Sequence, residues 1–272
     1  SFYCGDTGKK RIVQFNEQGE VIWSLEKVKP SDFSVLDNGN LLYSHVAKGM
    51  SYVQEITKDK KVVWEYKEKG EIRSCQRLDD GTTLIGETTK GVLKIIDKES
   101  NVLKSIFIKT DNSKGHTKLR VVRKGVDGLY YVAQHGEGLA RAYNEAGELV
   151  RDIKHQVNVI EKSTKKTRNA CYAVNPLKDG TLLLSGLSVL KIIDTSGKTI
   201  WELHESDIPE VNIYSFTGTH VLENGNILVT NWLGHGATGK GHHVVEIDRQ
   251  TKKVVWSMRN DDELKFALFV AQ

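Results

Sequence analysis

The stretch from Leu36-Asp37-Asn38-Gly39-Asn40-Leu41-Leu42 to Lys61-Val62-Val63-Trp64 carries two markers that decide the fold. The first is an Asn-Gly pair between apolar runs, the strongest short-range hairpin signal, read here as a two-residue turn with positive φ at both central residues. The second is a short β-rich segment ending in tryptophan. Both recur. The turn returns at Asp79-Asp80-Gly81-Thr82, Val126-Asp127-Gly128-Leu129, Lys178-Asp179-Gly180-Thr181 and Glu223-Asn224-Gly225-Asn226. The closing segment returns as Val21-Ile22-Trp23, Val102-Leu103-Lys104, Leu149-Val150-Arg151, Thr199-Ile200-Trp201 and Val254-Val255-Trp256.

Successive closing segments lie 41, 40, 47, 50 and 55 residues apart, and passing from Trp256 through the end of the chain to Trp23 adds 39. Repeats of this length, each with several short strands and no helical periodicity, predict one four-stranded blade per repeat around an axis. The fold class is all-β, a six-bladed β-propeller, with residues 1–272 forming a single domain. Five turns serve six blades, and the missing one falls between Phe269-Val270-Ala271 and Phe2-Tyr3-Cys4. Blade six is therefore expected to combine one C-terminal strand, Phe266–Ala271, with three N-terminal strands, which leaves no open edge in the ring. Blade one is expected to begin with Asp32–Leu36 and blade three with Thr117–Val122.

Composition narrows the function. The net charge of +4 is mild and the acids are interspersed, so no nucleic-acid partner and no membrane surface is indicated. No apolar run approaches the roughly 18 residues of a membrane span. Three cysteines, Cys4, Cys75 and Cys171, fall on strands of different blades; the odd number excludes a fully paired framework and predicts buried thiols. Because Ser1-Phe2-Tyr3 begins inside a strand, an upstream segment with any targeting information is expected to have been lost.

The segments Ile193-Asp194-Thr195-Ser196-Gly197-Lys198-Thr199-Ile200-Trp201 and Ile247-Asp248-Arg249-Gln250-Thr251-Lys252-Lys253-Val254-Val255-Trp256 resemble the repeat of quinoprotein-like (PQQ-like) propellers. The resemblance covers most of the chain. It implies the propeller fold, tryptophans that dock blade on blade, and an extracytoplasmic location. Quinone dehydrogenases of that group have eight blades and adjacent cysteines at the cofactor; with six blades and no such pair, this chain is expected to carry no cofactor. The turn Thr219-His220-Val221-Leu222-Glu223-Asn224-Gly225-Asn226 is also similar to those of bacterial arylsulfotransferases, six-bladed propellers with a catalytic histidine.

Inner strands line the channel of a propeller. Aligning them on the turns places Leu36, Leu78, Val122, Leu177 and Leu222 together, and two residues earlier a polar tier of Ser34, Gln76, Arg120, Asn175 and His220, all on one side of their strands. Loops at the opposite end carry Asp32, Arg73, His116, His135, Arg168, Asn169, Trp232 and His235. Histidines move protons near neutral pH and arginines fork onto carboxylate, sulfate or phosphate. The tier and the rim are the ligand-binding candidates. The expected partner is a small molecule, glycan or protein at the rim of a monomeric propeller; the alternatives are an enzyme using rim histidine and arginine on an anionic substrate, in the manner of an arylsulfotransferase or a carbohydrate lyase, and a redox protein with bound quinone.

Three other signals weigh less. Gly234-His235-Gly236-Ala237-Thr238-Gly239-Lys240-Gly241 looks like a phosphate loop but has Gly241 where Ser or Thr must follow the lysine, so a long rim loop is expected. Adjacent His242 and His243 point to opposite faces of a strand, so no metal site is expected there. The connection from Lys154 to Arg168 is long and basic and reads as a solvated insertion.

Overall fold

The computed structural model describes residues 1–111, 115–155, 159–160, 167–168, 170–234 and 240–271. They form six four-stranded antiparallel sheets and one two-stranded hairpin, Val159–Ile160 with Thr167–Arg168. Each sheet is a blade. The inner strands, in ring order, are Pro30–Val35, Ile72–Arg77, Val122–Lys124, Cys171–Pro176, Phe216–Val221 and Ala267–Ala271. Each inner strand contacts the next, and the last returns to the first.

Blade six closes as expected. Its strand order is Ala267–Ala271, Phe2–Asp6, Arg11–Phe15 and Val21–Glu26, with Tyr3 opposite Ala271 and Gly5 opposite Phe269. The joint is reinforced by Asp6, whose buried carboxylate accepts from the backbone N–H of Lys265 (2.8 Å) and Phe266 (2.9 Å). A strand that enters from the far end of the sequence is thus held by its ladder and by a charge-assisted cap.

The turns differ from the expected two-residue form. Positive φ occurs at the glycine alone, +79° at Gly39 and +85° at Gly225, while Asn38 and Asn224 stay in ordinary conformations. Gly39 N–H donates to Leu36 C=O and Leu36 N–H to Asn40 C=O, both 2.8 Å, the three-residue hairpin in which a left-handed glycine follows a tight turn. The Asn or Asp serves as an acceptor: Asn38, Asp80, Asp127, Asp179 and Asn224 each take the N–H two residues on, at 2.9–3.1 Å. That local bond is why the turn favours these residues.

Tryptophans dock blade on blade. Trp23 Nε1 donates to Lys58 C=O and Trp201 Nε1 to Arg249 C=O, each 2.8 Å, while Trp256 packs edge-on against Phe2. The three cysteines are buried free thiols. Every outer strand carries a bulge at an exposed apolar residue, Ile22, Val63, Leu103, Val150, Ile200 or Val255. Bulges there twist the exposed edge away from further pairing. Among the described residues no helix is long and apolar enough to cross a membrane.

Candidate functional site at the mouth of the channel

A second bulge interrupts every inner strand at one equivalent place. The pairing register skips Ser31, Arg73, Tyr172, Thr217 with Gly218, and Leu268. In blade three Arg120 N–H donates to Ala133 C=O while Ala133 N–H donates to Val121 C=O, so Arg120 and Val121 share one partner. Arg120 is therefore the bulge residue of its blade. A bulge leaves its residue out of the ladder and re-aims the side chain. Three consecutive blades use it to present Arg73, Arg120 and Tyr172.

This corrects the expected tier. Gly125 N–H donates to Leu129 C=O at 2.8 Å, just as Leu78 does to Thr82 and Leu177 to Thr181, so Gly125 and not Val122 occupies the leucine position. Two residues earlier stands Arg123. The tier of blades one to five is thus Ser34, Gln76, Arg123, Asn175 and His220. Most of it knits blades together. Gln76 Oε1 accepts Lys124 N–H (2.8 Å), Asn175 Nδ2 donates to Thr219 Oγ1 (2.6 Å), and Arg123 grips Asp32 in a fork at 2.8 and 3.0 Å. Asp32 also accepts from Ser74 Oγ (2.8 Å) and Cys75 N–H (3.0 Å), so this predicted rim residue is a buried tie across three blades. His220, whose pKa burial lowers, lines with Asn175 a cavity of about 1530 Å³ at the turn end of the channel.

At the opposite end the bulge residues meet. The Arg120 guanidinium carbon lies 5.1 Å from the Tyr172 ring centroid, a cation–π contact. The Arg120 side chain makes no hydrogen bond or ion pair with the described residues, and its buried Nε is unpartnered. Burial first, and then the neighbouring Arg73, press its pKa down; an arginine nevertheless stays charged at neutral pH. Tyr172 is 4% exposed and its hydroxyl has no partner, while burial raises its pKa and holds it as a neutral donor. Arg73 is paired with Glu71 of the preceding loop. His135 stands edge-on to Tyr172 at 6.4 Å, and Phe269 of blade six lies 6.2 Å from the same ring.

Of the predicted rim residues, Arg73 and His135 thus join Arg120 around Tyr172. His116 lies exposed on a short 3-10 turn, Gly115–Thr117. Trp232 packs against Tyr214 (5.4 Å) and Phe266 (6.0 Å). Asn169, His235 and the side chain of Arg168 lie outside the described residues. His45, stacked between Tyr43 and Tyr52, bonds Gln54 at 3.2 Å. His242 and His243 do diverge, toward Ser257 (2.9 Å) and Asp261 (3.1 Å). The sequence reading missed Tyr172, Glu71 and Phe269. Counting five residues back from each turn leucine or its equivalent finds Arg73, Arg120 and Tyr172.

No protein-family model matches the sequence, the quinoprotein-like repeat included, and no curated protein matches it. Solved structures do match. The chain is similar to a Bacteroides caccae protein of unknown function at 20% identity and a TM-score of 0.83, with 99% of this chain and 97% of that one covered. It is also similar to virginiamycin B lyase from Staphylococcus aureus (13% identity, TM-score 0.60, 93% and 78% covered) and to a chain of a nidogen/laminin complex (8%, 0.67, 99% and 97%). At such identities the likeness shows the propeller fold, which serves enzymes and binding proteins alike.

Proposed function

We propose that this protein is a ligand-binding β-propeller whose site is the channel mouth framed by Arg73, Arg120 and Tyr172, and that its ligand presents an oxyanion there. One observation carries the reading: Arg120 is a half-buried cation whose buried Nε is unpartnered and which has no hydrogen-bonded counter-ion among the described residues, beside a second guanidinium and an unused phenolic donor. Proteins seldom bury a charge unpaired, because desolvation costs several kcal/mol. A carboxylate, sulfate or phosphate would accept from all three groups, whether borne by a small molecule, a glycan or a peptide.

Sodium acetate, compared with sodium chloride at equal ionic strength, should raise the thermal unfolding midpoint along a saturating curve, and Arg120→Gln should flatten that curve. Identical curves in the unmodified protein would contradict the reading. A second reading, an enzyme acting on an anionic ester, draws on His135, a proton carrier one ring away from the guanidiniums. It requires turnover, for example of p-nitrophenyl sulfate, that His135→Ala abolishes while acetate still stabilises. The repeat resemblance supports an extracytoplasmic location.

A further inference from the structure

Resting on the ligand-site reading above, we infer that the channel mouth selects a singly charged oxyanion borne on an apolar body, against doubly charged ones. The charge follows from counting. Arg120 and Arg73 each bring one positive charge, and Glu71, paired with Arg73, brings one negative. Asp32, the carboxylate that bears electrostatically on Tyr172, is matched by Arg123 in a forked pair, and Tyr172 is neutral. Among the described residues, these groups around Tyr172 therefore sum to one net positive charge. A monoanion neutralises it, whereas a dianion leaves a net negative charge where solvation is poor, a cost that the low local dielectric magnifies.

The apolar body follows from the ring order. The bulge residue three blades from Arg120 is Leu268, and beside it Phe269 contacts Tyr172. On the same side of the ring Phe266 meets Trp232 edge-on. Blades two and three are thus the cationic side of the mouth and blades five and six the apolar side, joined by Tyr172 in blade four. A ligand held by its anion at Arg120 extends toward Leu268 and Trp232.

Isothermal titration of the full chain with benzenesulfonate, methanesulfonate and phenyl phosphate tests both parts. At about pH 8 the phosphate ester carries close to two charges, since its second pKa is near 6. Benzenesulfonate should bind about tenfold tighter than phenyl phosphate, a difference of on the order of one pK unit in interaction strength. Glu71→Gln leaves Arg73 uncompensated and should bring phenyl phosphate level with benzenesulfonate or past it, while Trp232→Ala should erase the advantage of benzenesulfonate over methanesulfonate. If the unmodified chain binds phenyl phosphate as tightly as benzenesulfonate and Glu71→Gln leaves their ratio unchanged, yet Arg120→Gln abolishes binding, the charge selection is overturned and the anion site stands. If none of the three binds, or Arg120→Gln leaves binding intact, the underlying site falls as well.

Discussion

Single side chains in this ring divide into those that tie blades together and those that do not. Asp32 belongs to the first kind: it accepts from Arg123, Ser74 and Cys75, groups of two neighbouring inner strands. Asp32→Ala strands the Arg123 cation in the core and should cost about 3–5 kcal/mol in chemical denaturation. His155 is also structural. It is 1% exposed, and burial lowers its pKa to about 3. A base held neutral in the fold takes up a proton on unfolding below about pH 6.5, so stability falls as pH drops from there toward 3, by up to about 1.4 kcal/mol per unit. His155→Gln should flatten that slope in urea titrations between about pH 6.5 and 4. An unchanged slope would place the acid sensitivity elsewhere. Arg120 belongs to the second kind: its charge rests on the Tyr172 ring and has no hydrogen-bonded counter-ion among the described residues.

At the scale of the strand, the repeated bulge turns a packing element into a site. Turn residues were legible in the sequence because Asn-Gly and Asp-Gly pairs mark hairpins by local chemistry alone. The register of blade three was not, because Gly125 stands where the other blades have leucine. A side chain there would meet Asp127 Oδ1 at 2.6 Å and the Tyr131 ring at 2.8 Å, so the hydrogen-bonded Tyr131–Asp127 pair fills the space leucine takes elsewhere. Without the apolar cue, Val122 took its place in the alignment and Arg120 fell into the wrong tier. The bulges themselves leave no mark in composition, since Ser31, Arg73, Arg120, Tyr172 and Leu268 share no chemistry. A related constraint acts at Gly186, where a Cβ would lie 2.0 Å from Ala170 C=O. Gly186→Ala must shift the backbone of the blade-four entry loop and should lower stability by about 2 kcal/mol or more, measured as a drop in the unfolding midpoint.

For the whole molecule, closure was legible because it follows from counting turns against closing segments, and the ladder between Phe2–Asp6 and Ala267–Ala271 bears it out. Removing residues 264–272 deletes the inner strand of blade six and the donors that satisfy Asp6. The truncated chain should lose cooperative unfolding altogether, seen as a flat circular-dichroism melt; a sharp transition would show that five blades and a remnant suffice. Closure also fixes which blades face one another, and so sets Arg120 across the channel from Leu268. The central claim is that this mouth holds an unpaired cation for a ligand at the expense of stability. Its most direct test is one variant measured two ways, Arg120→Met in thermal unfolding and in benzenesulfonate titration. Relief of the partly desolvated, unpaired charge offsets or outweighs loss of the cation–π contact, so the variant should be as stable as the unmodified protein or more stable by ~1 kcal/mol, with anion binding gone. A variant destabilised by about 1 kcal/mol or more that still bound the anion would contradict the account and make Arg120 a structural residue.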